Sequence, residues 1–175
     1  MTSLLASLLL AACPTSGDDM NAPLPHPHFP RAVEISLGMG ADAEKVSVSH
    51  LTVTFDREGF DAAKTGYSWH LANARLKTSR SLTVGGVKLE AGEYSIRARK
   101  TDAGTWELLT DKPQRFGRRA TDAAKALKTE FTKGAAKMEH MSIDIHPSGD
   151  KSNTSLWLVV HMDTYVARSL IVIEG

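Results

Sequence analysis

The sequence predicts an all-β protein: an antiparallel β-sandwich or jelly-roll-like barrel of about eight or nine short strands, with at most one short helix. Three observations point to this fold class. Apolar and polar residues alternate over many short segments, Gly, Pro, Asp and Asn cluster between those segments, and residues 80–100 carry the pattern of a hairpin followed by a longer strand. With 175 residues, 42% of them hydrophobic, the chain has the size and core of one domain.

The clearest signals lie in residues 80–100. Apolar residues alternate with polar ones on both sides of Gly85 and Gly86, which form a two-residue turn that tolerates positive φ at both positions. The strand that follows alternates over its whole length. Its alternation predicts that Arg97 and Arg99 face solvent on the side opposite the core.

Two strands and a loop are predicted near the start of the domain. Residues 33–37 and 45–55 both alternate, as strands do. In the second segment the apolar residues change sides near His50, which indicates a β-bulge of the kind that often marks where a strand passes from one sheet to another. His50 itself is expected to be a surface or edge histidine. Residues 56–65 carry charges and turn formers, so they are predicted to be a loop.

The rest of the chain adds further strands and one ambiguous segment. Residues 67–79 are predicted as one strand, and the hairpin is followed by a strand at 104–110 and a basic loop at 111–119. In residues 121–134 the apolar spacing fits both a helix and a strand, so the pattern leaves this segment open. Three predicted strands close the domain, at residues 138–146, 155–163 and 166–173.

The first thirty residues carry the pattern of an exported lipoprotein. The apolar run 4–12 ends in Leu-Ala-Ala before Cys13, which resembles the bacterial lipobox, although no Lys or Arg precedes the run. The resemblance implies cleavage before Cys13, a lipid on its sulfur, and attachment to a membrane of the cell envelope. The alternative is a buried apolar N-terminal element with an inert cysteine. The expected organisation is a signal peptide at 1–12, a lipidated cysteine and proline-rich tether at 13–30, and one β-sandwich domain at 31–175.

Composition argues against one class of partner. The 21 Lys and Arg residues against 20 Asp and Glu residues give a formal net charge of +1, with no run of like charge. Such a balance provides no long-range attraction for a polyanion. We therefore expect no binding to nucleic acid. The expected partners are a membrane, through the lipid anchor, and a small ligand or an envelope protein.

A candidate metal site lies on the predicted C-terminal hairpin. His140 and His161 lie opposite each other in one of the possible registers of the two strands, the one that also places Asp144 opposite Trp157. Asp163 is then close enough to join them, and two imidazoles with a carboxylate are suited to zinc or a similar divalent cation. The alternative is the polar face of a solvated strand, because the pattern guarantees no third or fourth ligand.

A second candidate site is cationic. Arg75 and Lys77 on one predicted strand, and Arg97 and Arg99 on another, lie on outward faces. Pairing of these strands would gather the four side chains into a patch suited to a carboxylate or a phosphate. The alternative is an ordinary solvated sheet face, on which exposed Arg and Lys are common.

Three blocks of the chain from residue 30 onward resemble a known family. Trp69 with Ala72-Asn73 is similar to a family motif Trp-Arg-x-Gly-Ala-Asn. Residues 84–96 are similar to a strand, a Gly-containing turn and a Tyr-Ser-Leu strand of the same family, and residues 106–117 are similar to its Trp-x-x-x-x-Asn-Lys block. The chain departs from the family at residues 55–59, where members commonly carry Tyr-Ser-Arg-Pro and Gly-Arg.

These blocks resemble the bacterial envelope family catalogued as domain of unknown function 2911. The family has no established activity, so the resemblance bears on fold and location more than on function. It implies a strand at residues 127–132 within the ambiguous segment. It also implies that Trp69 and Asn73 are ligand-binding residues.

No familiar catalytic motif accompanies these candidates. The sequence holds no Gly-x-Ser-x-Gly elbow, phosphate-binding loop, dinucleotide fingerprint or His-Glu-x-x-His helix. We therefore expect a lipid-anchored envelope domain that binds a ligand or supports an assembly without catalysis, and no cofactor other than a divalent metal at the candidate site. The alternative is a small metal-dependent or hydrolytic enzyme that acts through His140, His161 and Asp163.

Two structural observations would separate these functions. An aromatic-lined cleft would favour ligand binding, whereas convergent imidazoles with open coordination would favour an enzyme. The aromatic residues around which such a cleft is expected are Trp69, Tyr94 and Trp106.

Overall fold

The computed structural model of the chain describes residues 29–102, 104–115, 119–151 and 154–174. The predicted signal peptide, Cys13 and residues 14–28 of the predicted tether lie outside the described residues. The same holds for residues 116–117, at the end of the third family block.

Within the described residues the chain forms eleven β-strands and one α-helix. Their bounds are Pro30–Ser36 (β1), Lys45–Leu51 (β2), Arg57–Ala62 (α1), Ser68–Trp69 (β3), Arg75–Thr78 (β4), Leu82–Val84 (β5), Val87–Leu89 (β6), Gly92–Lys100 (β7), Trp106–Asp111 (β8), Lys125–Ala126 (β9), Glu130–Pro147 (β10) and Ser155–Ile173 (β11). The first sheet has the order β1-β2-β4-β7-β8-β9, with β3 paired to β7, and the second has the order β10-β11-β5-β6. All pairs are antiparallel, so the predicted all-β sandwich is confirmed.

One hydrophobic core lies between the two sheets. On β2 the side chains of Val46 and Val48 are fully buried while the intervening Ser47 is partly exposed, which is the alternation expected of a strand with one face on a core. Each such Val, Leu or Ile contributes roughly 1.5–3 kcal/mol relative to an exposed position. The second sheet contributes large apolar residues to the same core, among them Leu82, Val84, Ile143, Leu158, Val160 and Met162.

The predicted hairpin is confirmed in its register and in its turn. Leu82 pairs with Leu89 and Val84 with Val87, which leaves Gly85 and Gly86 as the two loop residues. Both have positive φ, +51° and +82°, as a type I′ turn requires. Gly85 is also close to another element, because a Cβ built on it would lie 2.7 Å from the Cβ of Leu127.

The predicted passage of the second strand from one sheet to the other is also confirmed. His50 still pairs with Arg31 of β1, so the ladder in the first sheet is regular up to the end of β2. The next residues then pair with β10: the backbone N–H of Phe55 donates to Glu139 O at 3.1 Å, and that of Met141 donates to Val53 O at 3.0 Å. The irregularity therefore lies just after β2, not at His50.

Residues 67–79 do not form the single strand that their alternation predicts. A 3-10 turn, Leu71–Asn73, separates β3 from β4. All three of its residues have positive φ, between 46° and 63°, a left-handed conformation that L-residues seldom adopt. The turn is held by burial of Leu71 and Ala72 and by a hydrogen bond from the N–H of Asn73 to His70 O at 3.1 Å.

The predicted loop at 56–65 contains the helix α1. Asp56 caps this helix, because its side chain accepts a hydrogen bond from the N–H of Gly59 at 2.9 Å. Phe60 is the buried residue of α1 and fixes the helix to the core. A helix of six residues with one apolar anchor carries no periodic pattern, which is why alternation and spacing do not predict it.

The two C-terminal strands are longer than predicted. β11 runs unbroken through residues 163–166, where the sequence predicts a division into two strands, because it pairs with β10 on both sides of that point. The ambiguous segment 121–134 contains no helix: it has a turn at residues 122–123, then β9 and the start of β10. Of the strand that the family resemblance implies at residues 127–132, the part from Glu130 onward is present. No helix in the described part of the chain has the length and hydropathy needed to cross a bilayer.

Gly85 and Gly86 offer a matched test of the close approach at the hairpin. Alanine at either position is strained by positive φ, which costs about 1–2 kcal/mol. Only at Gly85 does the new Cβ also collide with residues 127 and 128, whereas at Gly86 it meets open space. We therefore expect Gly85→Ala to lower the free energy of unfolding in urea by clearly more than Gly86→Ala does. Equal losses would show that the contact with residue 127 is not a constraint.

Candidate functional site

The expected pairing of His140 with His161 is wrong. The strands pair Ser142 with His161 and Asp144 with Val159. Between the pairs Met138–Asp163 and Ser142–His161 the register shifts, because three residues of β10 face only one of β11. His140 lies in this bulge and forms a bridge with Thr54, since β10 turns there to pair with the segment that follows β2.

The three residues of the predicted metal site are accordingly not assembled. His140 and Asp163 line one groove of about 570 Å3, of which His161 is not part. Asp163 is nearly buried and forms an ion pair with Arg57, so its charge is already matched. Among the described residues, no three His, Cys, Asp or Glu side chains are arranged to hold a metal ion.

Arg97 is buried, which corrects the expectation that it faces solvent. Only 2% of its surface is exposed. The outer face of β7 is covered by the chain that follows β8: the N–H of Gln114 donates to Ser95 Oγ at 3.0 Å, and the guanidinium of Arg75 donates to Gln114 O. Burial lowers the pKa of Arg97, and the Asp111 carboxylate acts in the opposite direction.

Two other members of the predicted cationic patch, Arg75 and Arg99, are paired with carboxylates. Arg75 lies 3.5 Å from Glu93, and Arg99 lies 2.6 Å from Glu107. Arg75, Arg97 and Asn73 line a common cleft of about 10 Å3, roughly the space of one water molecule. This cleft is too small for an organic ligand.

A much larger groove lies on the outer face of the first sheet. Its volume is about 860 Å3. One wall is formed by residues 64–68 and the other by residues 119–124, while Arg99 and Leu109 come from the strands between them. Of the predicted site residues, Arg99 alone lines this groove.

The buried carboxylate of Asp111 positions the second wall. It accepts hydrogen bonds from the N–H of Thr121 at 2.8 Å and from the Thr121 hydroxyl at 2.6 Å. The N–H of Lys112 donates to the same carboxylate at 2.8 Å. Both ends of the loop between β8 and β9 are therefore tied to the last residue of β8.

The first wall is held by the end of β7. The N–H of Gly66 donates to Lys100 O at 2.8 Å, and the N–H of Lys100 donates to Tyr67 O at 3.0 Å. His70 also lines the groove; burial and then the charge of Arg97 lower its pKa. Ser68 lines the groove as well, and its hydroxyl is buried without a hydrogen-bond partner among the described residues.

Tyr67 connects this groove to a second cleft lined by aromatic residues. The second cleft has a volume of about 110 Å3 and contains Phe60, Trp69 and Trp106 together with Tyr67. Phe60 stacks on Trp106 at a centroid distance of 4.7 Å, and Tyr67 meets Trp106 edge to face at 6.4 Å. Tyr67 remains 52% exposed, so part of its surface is free for a ligand.

Only part of this arrangement is predicted from the sequence. Trp69 lies in the aromatic cleft and Arg99 in the groove, but Tyr67, Lys64 and Arg119 were not predicted. One signal was available for Tyr67, because it is two residues from Trp69 and alternation places both on one side of a strand. Lys64 and Arg119 lie in loops, whose approach to each other depends on the tertiary fold.

Fold and geometry define the class of protein: a β-sandwich with a large polar groove on the outer face of its first sheet and an aromatic cleft on the core side of the same sheet, with Tyr67 lining both. Comparison of the chain with known protein families, with curated proteins and with solved structures finds no match.

His50 is a buried histidine outside the groove, not the surface or edge residue that its position suggests. It is 3% exposed, and neither ring nitrogen has a hydrogen-bond partner among the described residues. Burial and then the charge of Arg31 lower its pKa, whereas Asp144 acts to raise it. The folded protein therefore favours the neutral imidazole more than the unfolded chain does.

This difference predicts loss of stability in acid. Above the unfolded pKa of 6.5 the contribution of neutral His50 is fully present, and it is lost as the pH falls from there through the lowered folded pKa. We expect His50→Leu to flatten the dependence of the free energy of unfolding on pH between about pH 7.5 and about pH 5. Some slope remains because the pKa of His70 is lowered too. The control is the exposed His146, changed to Leu; a slope in His50→Leu as steep as in the control would contradict this prediction.

Proposed function

We propose that this protein is an exported, lipid-anchored domain of the cell envelope that binds a small ligand without catalysis. The binding site is the groove on the first sheet together with the aromatic cleft around Trp69 and Trp106. The observation that carries this proposal is the exposed ring of Tyr67, which belongs to both cavities. A volume of about 860 Å3 suits a small molecule, since ligand sites typically measure about 300–1,000 Å3.

An aromatic-lined cleft is the feature that favours ligand binding over catalysis. The groove contains an imidazole and a hydroxyl, those of His70 and Ser68, but the Ser68 hydroxyl has no hydrogen-bond partner among the described residues and so is not paired with a base as the nucleophile of a catalytic triad is. The alternative enzyme, acting through His140, His161 and Asp163, has less support because the bulge in β10 separates the two imidazoles.

The envelope location is part of the same proposal. Its support is the apolar run that ends in Leu-Ala-Ala before Cys13, followed by a segment rich in proline. We propose in addition that the chain is a divergent relative of the family of domain of unknown function 2911. The support for this is the similarity of residues 84–96 to the family block, a segment that contains the hairpin turn and most of β7.

The lipid anchor is tested by Cys13→Ala in a bacterial host. Replacement of the sulfur removes the site of acylation, so the variant is expected to lose incorporation of labelled palmitate and to leave the membrane fraction. Cys13→Ser is a second test variant: its hydroxyl keeps the size of the side chain but removes the thiol, so the same losses are expected. Retained palmitate and membrane association in both variants would disprove the anchor.

Ligand binding is tested by screening small molecules against the full chain carrying Cys13→Ala, which leaves out the lipid. Binding is expected to shift the backbone NMR signals of residues 64–70 and 119–124, since these form the two walls. Tyr67→Ala is expected to weaken binding by about tenfold, because it removes one exposed aromatic surface. The control is Met39→Ala, fully exposed and outside the groove. Absence of any hit at these residues would count against the proposed function.

A further inference from the structure

We infer that the ligand of this groove is an anion with a flat ring: Lys64 and Arg119 bind its carboxylate or phosphate, and Tyr67 contacts the ring. This inference rests on the proposed function and adds the chemical class of the ligand. It also assigns separate roles to the two walls of the groove.

Unmatched positive charge is the first observation behind this inference. Among the described residues that line the groove, three carry a cationic side chain, Lys64, Arg99 and Arg119, and one carries a carboxylate, Asp122. Arg99 is matched by Glu107 at 2.6 Å. In the part of the chain that the structure describes, neither Lys64 nor Arg119 has an ion-pair partner. The groove is thus positive although the whole chain is nearly neutral.

The charge of the groove comes from its own lining. Arg97 lies buried in the sheet beside the groove, but the carboxylate of Asp111 offsets its charge. A cavity lined mainly by one sign of charge concentrates the opposite ion. An anion that enters the groove exchanges hydrogen bonds to water for hydrogen bonds to two charged donors. Hydrogen bonds to charged groups are stronger than hydrogen bonds between neutral groups.

The donor groups of the two cations suit an oxyanion. Arg119 offers a planar set of N–H donors that can hold two oxygens at once, and Lys64 offers a compact point charge. They come from opposite walls, Lys64 from the segment before β3 and Arg119 from the loop after β8. Both cations therefore line the same groove, one from each wall, and in the proposed complex one carboxylate or phosphate lies between them.

Tyr67 supplies the apolar half of the site. It lies three residues after Lys64 on the same wall, and it lines both the groove and the aromatic cleft. Its edge-to-face contact with Trp106, with an interplanar angle of 85°, orients the phenol while about half of the residue stays exposed. A ring attached to the bound anion can pack on this surface, which a free phosphate ion cannot do.

Three probes separate the two contributions: benzoate, which has charge and ring; benzamide, which has the ring alone; and inorganic phosphate, which has the charge alone. Each is titrated into the full chain carrying Cys13→Ala at constant ionic strength, followed by the NMR signals of residues 64–70 and 119–124. We expect benzoate to bind about tenfold more tightly than benzamide, since it adds charge-assisted hydrogen bonds. If the anion is an adventitious ion only, it will shift the NMR signals of exposed lysines elsewhere as much as those of the groove residues, and that result would overturn the inference.

Variants assign the contacts. The double variant Lys64→Ala with Arg119→Ala is expected to weaken benzoate and phosphate about tenfold or more and to leave benzamide unchanged. Tyr67→Ala is expected to weaken benzoate and benzamide and to leave phosphate unchanged. The control is Lys77→Ala, an exposed lysine of β4 outside the groove.

The outcomes separate failure of this inference from failure of the proposed function. Equal binding of benzamide and benzoate at the groove, unaffected by the double variant, overturns the inference and leaves ligand binding intact. The inference is also overturned, with ligand binding intact, if none of the three probes binds at millimolar concentration while neutral molecules from the screen do. If no molecule of either kind binds at the groove, both proposals fail.

Discussion

The candidate site depends on the hydrogen bonds that the buried carboxylate of Asp111 accepts. Asp111 ends β8 inside the protein, and its carboxylate accepts the N–H groups of Lys112 and Thr121 together with the Thr121 hydroxyl. These bonds fold the chain between β8 and β9 back over the outer face of the first sheet. That cover buries Arg97, whose charge Asp111 offsets, and it leaves the groove as the space between loop and sheet. A buried carboxylate with this many donors is far less costly than an unpaired one.

The parts of the fold that follow from local physics could be predicted from the sequence. Alternation predicts most of the strands. Gly85 and Gly86 predict the hairpin turn, and these two adjacent residues set the register of the strands on either side. The parts that depend on distant contacts could not. The length of β11 depends on its pairing with β10 on both sides of residues 163–166, and the bulge around His140 arises where β10 pairs with residues 53–55, a segment some eighty residues earlier. No local pattern near His140 records that partner.

The same distinction applies to the candidate site. Trp69 is singled out by its place in a block that resembles a family motif, and it does line a cleft. Alternation also predicted correctly that Arg97 points away from the core, but a face away from the core is exposed only when nothing covers it. Here Gln114 and its neighbours cover it. Lys64 and Arg119 are fifty-five positions apart and line the same groove only because two loops face each other across the sheet.

The left-handed turn Leu71–Asn73 has a consequence for how tightly a ligand can be held. Three residues in this conformation cost about 1–2 kcal/mol each, and burial of Leu71 and Ala72 offsets that cost. The turn directly follows the wall that carries Tyr67 and His70. The hydrogen bonds of Gly66 and Tyr67 to Lys100 and the burial of Leu71 hold the wall from both sides, so it has few alternative shapes to lose when a ligand enters. Little conformational entropy is then given up on binding, so even a few contacts translate efficiently into affinity.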